Sequence, residues 1–343
     1  MTARRRESGG DIPNAPEISM LNQNLVASLL RRTRPHSPAT SMAGMALLAI
    51  VSPALFGVRP SVAQADRFAN VVVEATDLGS GLYLLSGAGG NLGLSIGPDG
   101  TFLIDDQFAP LNDKIKAAIA RLTDQPVRFV VNTHWHGDHT GGNEKFGEAG
   151  AVIVAHDNVR RRMSVDSFSK AFNDSTPASP HAALPVITFA ESVVFHLNGQ
   201  EINVRHTPPA HTDGDAVIHF RPANVIHVGD LFFNGMYPFV DVESGGSIDG
   251  YVTVIDAILP MIDDNTRIIP GHGAIATKAE FKAFRDVLAD VSQAVKALVA
   301  DKKSKDEVIA AKPTAKWDAK WGNGFMKPDQ FVGLVYDSVT GAQ

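Results

Sequence analysis

Asn132-Thr133-His134-Trp135-His136-Gly137-Asp138-His139-Thr140-Gly141-Gly142 decides the reading of this chain. Three histidines and an aspartate follow directly on the apolar run Val127-Arg128-Phe129-Val130-Val131, which reads as a buried strand. The glycines after the run force a loop. Alternate residues of an extended chain point the same way, so His134 and His136 can reach one metal together. The turn at Gly137 swings Asp138 and His139 toward a second. Imidazoles and a carboxylate suit zinc or a similar borderline cation.

Bulk properties narrow the classes. The 343 residues are 44% hydrophobic and 20% charged, an ordinary globular composition. A net charge of −6 argues against nucleic acid or an anionic membrane as the main partner and leaves a small-molecule substrate. Cysteine is absent, which removes disulfides, thiolate ligands and a cysteine nucleophile. Any metal must be held by His, Asp or Glu.

The first 65 residues read as an N-terminal extension and a secretory signal. Arg4-Arg5-Arg6 and Arg31-Arg32 precede an apolar segment from Met42 to Val58, which is short and broken by Pro53. Val62-Ala63-Gln64-Ala65 supplies a small-x-small cleavage site. Cleavage after Ala65 would leave residues 66–343 as one catalytic domain, periplasmic or secreted, without stable membrane insertion.

Within that domain, Gly-rich turns separate apolar runs at 71–74, 81–85, 91–96 and 101–106, and Leu111 opens a helical pattern over 111–123. Ala151–Ala155 reads as a strand and 157–182 as a helix-plus-loop insertion. Further strands fall at 186–189, 193–197, 202–206, 216–220 and 225–228. Thr277-Lys278-Ala279-Glu280 is a capping box opening a long amphipathic helix, and Ser304-Lys305-Asp306-Glu307 resembles a second. Strands then helix, twice over, predict two packed sheets with helices outside.

Later polar residues supply more metal donors. His211 sits on a turn between two strands, Asp230 immediately after Val225–Val228, and His272 on the glycine-flanked Pro270-Gly271-His272-Gly273. Strand ends are where a sheet gathers active-site groups.

With these residues the chain resembles the metallo-β-lactamase-fold hydrolases. The His-x-His-x-Asp-His motif is intact at His134, His136, Asp138 and His139, and His211, Asp230 and His272 follow in the family's order. The resemblance implies an α/β fold, a four-layer αββα sandwich with its metals at one edge. It implies two Zn2+ per chain, with His134, His136 and His211 on one, Asp138, His139 and His272 on the other, and Asp230 bridging. It further implies a bridging hydroxide that opens an amide, β-lactam, lactone or ester bond, with Asp138 orienting the nucleophile and taking its proton. An aspartate at position 230 is the pattern of glyoxalase-II-like thioesterases, lactonases and phosphodiesterases, whereas β-lactamases of the family usually have Cys or Ser there. A mono-iron sulfur dioxygenase is the competing redox reading, and a non-enzymatic binding module the third.

Four weaker expectations complete the set. His156 and His206 are candidates for contacts behind the metals or to substrate. Asn234 and Tyr237 could offer donors to an oxyanion. Arg160, Arg161 and Arg162 could anchor a substrate carboxylate if the insertion folds over the site. The segment His211-Thr212-Asp213-Gly214-Asp215 departs from the family's common His-Thr-Pro-Gly form.

Overall fold

A computed structural model describes residues 67–341; the extension and signal segment lie outside the described residues. The first sheet begins with an antiparallel meander, β1 (Glu74–Gly79), β2 (Leu82–Ser86), β3 (Leu92–Gly97) and β4 (Gly100–Ile104). Parallel strands β5 (Val127–Val131), β6 (Val152–His156) and β9 (Ile187–Phe189) extend it, each hydrogen-bonded to the one before. Between these strands lie α1 (Asn112–Ala120), α2 (Gly137–Thr140), α3 (Asn143–Glu148), α4 (Asp157–Met163) and the small hairpin β7 (Ser167–Ser169) and β8 (Asp174–Thr176).

The second sheet runs in order β10 (Ser192–Leu197), β11 (Gln200–His206), β12 (Ala216–Phe220), β13 (Val225–Phe233) and β14 (Arg267–His272). Its last pair is parallel. Helix α5 (Ile248–Ile258) connects that pair, and α6 (Lys278–Ala300), α7 (Lys305–Ala310), α8 (Asp318–Trp321) and α9 (Pro328–Thr340) complete the chain.

The central strands β4 and β13 are buried along their whole length because both faces of the sheet are covered there. In β4, Phe102 and Ile104 face the second sheet's Ile218 and Phe220, while Leu103 on the opposite face packs with Ile115 and Ile119 of α1. Ile226 and Ile268 of the second sheet pack outward on α5, α6 and α9. The result is helix, sheet, sheet, helix: the αββα sandwich. Both capping boxes form, Thr277 with Glu280 and Ser304 with Glu307.

Three boundaries differ from the sequence reading. The strand expected at 71–74 lies instead at Glu74–Gly79, and Val73 is buried among the helix-side residues. β13 does not stop at Val228: Leu231, Phe232 and Phe233 are all buried, so the strand continues and Asp230 lies inside it. Gly229, at φ +51°, marks the register break that turns Asp230 toward the edge of the sandwich. His272 likewise is the last residue of β14, not a loop residue beyond it.

Candidate metal centre

The parallel strand pairs of the two sheets end at the same edge. Asp105 follows β4, His134 follows β5, Asp230 lies late in β13, and His272 ends β14. His211 comes in from the β11–β12 connection. Asn91 ties the edges together, donating from its side chain to Pro270 O and Gly273 O at 2.9 and 2.8 Å. Two close approaches need glycine. A Cβ at Gly90 would lie 2.1 Å from the His139 ring, and one at Gly271 would lie 1.9 Å from Asp230 Oδ1.

The structure brings all seven sequence-derived candidates to this edge. His134, His136 and His211 present one donor atom each within 4.8 Å of one another, and so do Asp138, His139 and His272. Asp230 lies between the groups, with Oδ1 3.0 Å from His139 Nε2 and Oδ2 3.4 Å from both His211 Nε2 and His272 Nε2.

The tautomers follow from the outer partners. His211 Nδ1 faces Phe239 O at 2.9 Å, so it donates there and leaves Nε2 with a lone pair. His136 Nε2 faces the Asp241 carboxylate at 2.8 Å, which leaves Nδ1 with a lone pair. Those two lone pairs meet at 2.9 Å. His139 Nδ1 donates to Asp105 Oδ2 at 2.7 Å, and its bare Nε2 faces Asp230 Oδ1 out of hydrogen-bond geometry. His134 Nδ1 lies 3.0 Å from Thr133 Oγ1, whose hydrogen goes to Asp105 Oδ2, so His134 Nε2 is also bare and buried. Acceptors aimed at acceptors in a buried pocket call for a positive charge among them, a metal ion or added protons. The residues fit divalent metal.

The electrostatics agree. Burial and the neighbouring His139 hold His134 well below the usual imidazole range, and burial takes His211 down to about 4. Burial opposes charge on His272, but the Asp230 and Asp138 carboxylates outweigh it and raise the imidazole to about 9. Burial likewise opposes charge on Asp138, and His139 and His272 outweigh it, bringing the carboxyl to about 2. Without a cation, protons are drawn in to balance the carboxylates.

Several positioning residues were not legible beforehand. Asp105 sits in a left-handed conformation, φ +58°, and accepts from Thr133 N, Thr133 Oγ1 and His139 Nδ1. Asp241 holds His136. Asp215 accepts from His211 N at 2.8 Å and from Thr212, fixing the loop. Tyr251 hydroxyl donates to Asp230 O at 2.8 Å. Asp105 left a trace in the sequence as an acidic residue at the end of an apolar strand, and Asp215 as part of the segment that departs from the family's common form.

Other expectations are corrected. Tyr237 is buried, its hydroxyl bonded to Asp318 and its ring stacked on Phe331, so it offers nothing to an oxyanion. Asn234 donates to Ala274 O. His156 and His206 take the structural role that is the more usual one for such histidines: they stack on each other, centroids 3.6 Å apart, and His206 Nδ1 lies 2.9 Å from Asp215 O behind the His211 loop. The insertion does wall the site, as α4 and the β7–β8 hairpin, but its arginines are engaged. Arg160 bonds Pro185 O, while Arg161 and Arg162 bond the Asp213 carboxylate. That contact also explains Asp213 where the family commonly has proline: it pins α4 to the His211 loop.

The sequence model of the metallo-beta-lactamase superfamily matches residues 90–277, and the chain belongs to that family. Among individual proteins, it is similar to a hydroxyacylglutathione hydrolase of Nitrosococcus oceani, 28% identical over 200 residues that cover 57% of this chain and 66% of the relative. It is also similar to a human acyl-coenzyme A thioesterase, 25% identical over 160 residues, 42% of this chain and 55% of the relative. The chain thus spans less than two thirds of either relative's length. A metallo-beta-lactamase from Pontibacter korlensis shares the fold, with a TM-score of 0.53, 19% identity, and coverage of 64% of this chain and 99% of that one.

Proposed function

We propose that this metallo-β-lactamase superfamily hydrolase is an exported enzyme that holds two Zn2+ and opens acyl bonds, esters or lactones foremost. One observation carries the reading: His136 Nδ1 and His211 Nε2, whose outer partners turn their lone pairs inward, lie 2.9 Å apart beside the unpartnered Nε2 atoms of His134 and His139. His134, His136 and His211 would hold one ion, Asp138, His139 and His272 the other, with Asp230 between them. Bound there, the ions supply Lewis acidity, which acidifies water and polarises a carbonyl.

The chain's own groups do the rest. Asp138 is 23% exposed to the cleft, more than any other carboxylate among the seven donors. Held ionised by His139 and His272, it is placed to orient the attacking water and accept its proton at a carboxylate oxygen. Asp105 and Asp241 keep the histidine lone pairs turned inward. The names of the two relatives support a second reading, thioester hydrolysis through the same steps.

A panel of β-lactams, acyl lactones, esters, thioesters and phosphodiesters separates these readings, with metal content measured on the same preparation. Ester or lactone cleavage is expected to exceed a modest β-lactam activity, with two zinc per chain. Asp138→Ala is expected to lower turnover by about 10²–10⁴-fold, the usual contribution of a positioned proton acceptor. Phosphodiester cleavage alone, or one iron per chain, would overturn the proposal.

The N-terminal signal motif supports export. Intact mass of the protein recovered from the periplasm or medium is expected to begin at Asp66. Full-length chain confined to the cytoplasm refutes this.

A further inference from the structure

The cleft over the metal centre has a volume of about 810 Å³, and the wall leading away from the donors is aromatic. Phe239 lies 5.8 Å from the His136 ring. Phe172, on the turn between β7 and β8, lies 4.9 Å from Phe239, and Phe325, ahead of α9, lies 5.8 Å from Phe172. The rings step outward from the metal donors to solvent. Phe172 is 47% exposed, Phe325 62%, and the neighbouring Val165 56%. Two segments far apart in sequence hold large apolar side chains in water at the mouth of one cleft, beside the buried ring of Phe239. Such clustering marks a surface that is covered when the protein works.

The charge of the cleft narrows what covers it. Glu144, Asp174 and Asp241 line it on the acidic side. Its basic lining groups are Arg67 and Arg162. Arg162 gives Nε and Nη2 to Asp213 at 2.7 and 2.9 Å, and Arg67 lies over the rings of Phe68 and Phe108, 5.1 and 5.4 Å from their centroids. A carboxylate or phosphate on the substrate would meet acidic side chains, an arginine already paired, and Arg67 as the one other basic lining group. A hydrocarbon or aryl arm would meet three phenylalanines.

We propose that Phe239, Phe172 and Phe325 form the subsite for an uncharged apolar arm, and that the chain acts on neutral esters or lactones carrying one. The inference deepens the acyl-hydrolase reading and rests on it. It sets that reading apart from glutathione and coenzyme A thioesters and from lactams that carry a carboxylate. The reaction adds one water across the acyl C–O bond: the acyl carbon keeps the hydroxyl, the proton goes to the departing oxygen, and nothing is oxidised.

The test uses p-nitrophenyl acetate, butyrate and octanoate with the metal-loaded protein, alongside octanoyl-coenzyme A. Each fully buried methylene is worth up to about fourfold in binding. We expect kcat/KM to rise at least about tenfold from acetate to octanoate, and octanoyl-coenzyme A to be slower than the octanoate ester. In the double variant Phe172→Ala, Phe325→Ala the octanoate-to-acetate ratio should fall toward one, and in Phe172→Leu, Phe325→Leu it should largely persist. Calorimetric binding of octanamide to the protein as purified gives a readout independent of turnover, present in wild type and lost in the double alanine variant. Octanamide binding without ester cleavage supports the subsite while the acyl reading fails. Ester cleavage with a flat chain-length profile and no octanamide binding overturns the subsite while that reading stands. Faster turnover of octanoyl-coenzyme A overturns the restriction to neutral substrates.

Discussion

Chelator-stripped protein is expected to gain about 4 kcal/mol of unfolding free energy when zinc is restored at roughly a thousand times its Kd. For a chain of this size that corresponds to a rise in Tm on the order of 10 °C. The gain arises because the donors exist as a set only in the folded state. His134 and His272 stand at opposite ends of the ligand sequence, on different sheets, and the unfolded chain has no reason to bring them together. In the folded state the donor groups are already gathered at one edge, so the ions do not have to organise their own site. Asp230→Asn keeps the shape beside Gly271 but removes the charge shared between the two donor groups, and more than half of the gain should disappear. Calorimetric melting with zinc, manganese and iron checks this. A Tm that none of the three ions moves would mean the cluster does not bind metal.

The donors themselves were legible in the sequence because their chemistry is concentrated. Four of them fall between His134 and His139, and the other three each follow or interrupt an apolar run. The layers were legible for a similar reason: strand runs buried on both faces are apolar throughout, and capping boxes are local. What was lost depends on convergence. Asp105, Asp241 and Tyr251 lie outside the motif in sequence, and each acts through contacts that form only when distant segments pack together. The engagement of Arg161 and Arg162 is invisible in the sequence because their partner, Asp213, lies about fifty positions away. β13 was read too short because Gly229-Asp230 interrupts the apolar pattern. The strand tolerates a buried carboxylate there because His139, His272, His134 and His211 surround it. Phe172 and Phe325 carry no local signal, because only the fold sets these distant residues side by side.

Asp105→Asn is expected to lower metal affinity by about 10–100-fold, although residue 105 touches no metal. The argument begins with the backbone. Residue 105 holds φ +58°, a region asparagine enters as readily as aspartate, so the substitution adds no strain. Thr133 N and Thr133 Oγ1 both donate to the residue 105 carboxylate, at 2.8 Å each, and His139 Nδ1 donates to it at 2.7 Å. An amide has one oxygen for these three donors. If that oxygen stays on Thr133 N, the amide nitrogen meets His139 Nδ1 and can only donate to it. His139 must then carry its hydrogen on Nε2, the atom 3.0 Å from Asp230 Oδ1. The lone pair that faced the ion becomes an N–H, and the Asp138, His139 and His272 group loses a ligand. The opposite amide orientation sets the NH2 against Thr133 N, two donors face to face, and costs about 1–3 kcal/mol for the unpaired group. Either way the loss should fall mainly on that group, while the ion held by His134, His136 and His211 is less affected. Chelator competition reads the affinities, and nitrogen-15 NMR of the histidine rings reads the tautomer. Unchanged affinity with His139 still protonated at Nδ1 would show that another contact sets the ring, and that Asp105 serves only to shape the turn after β4.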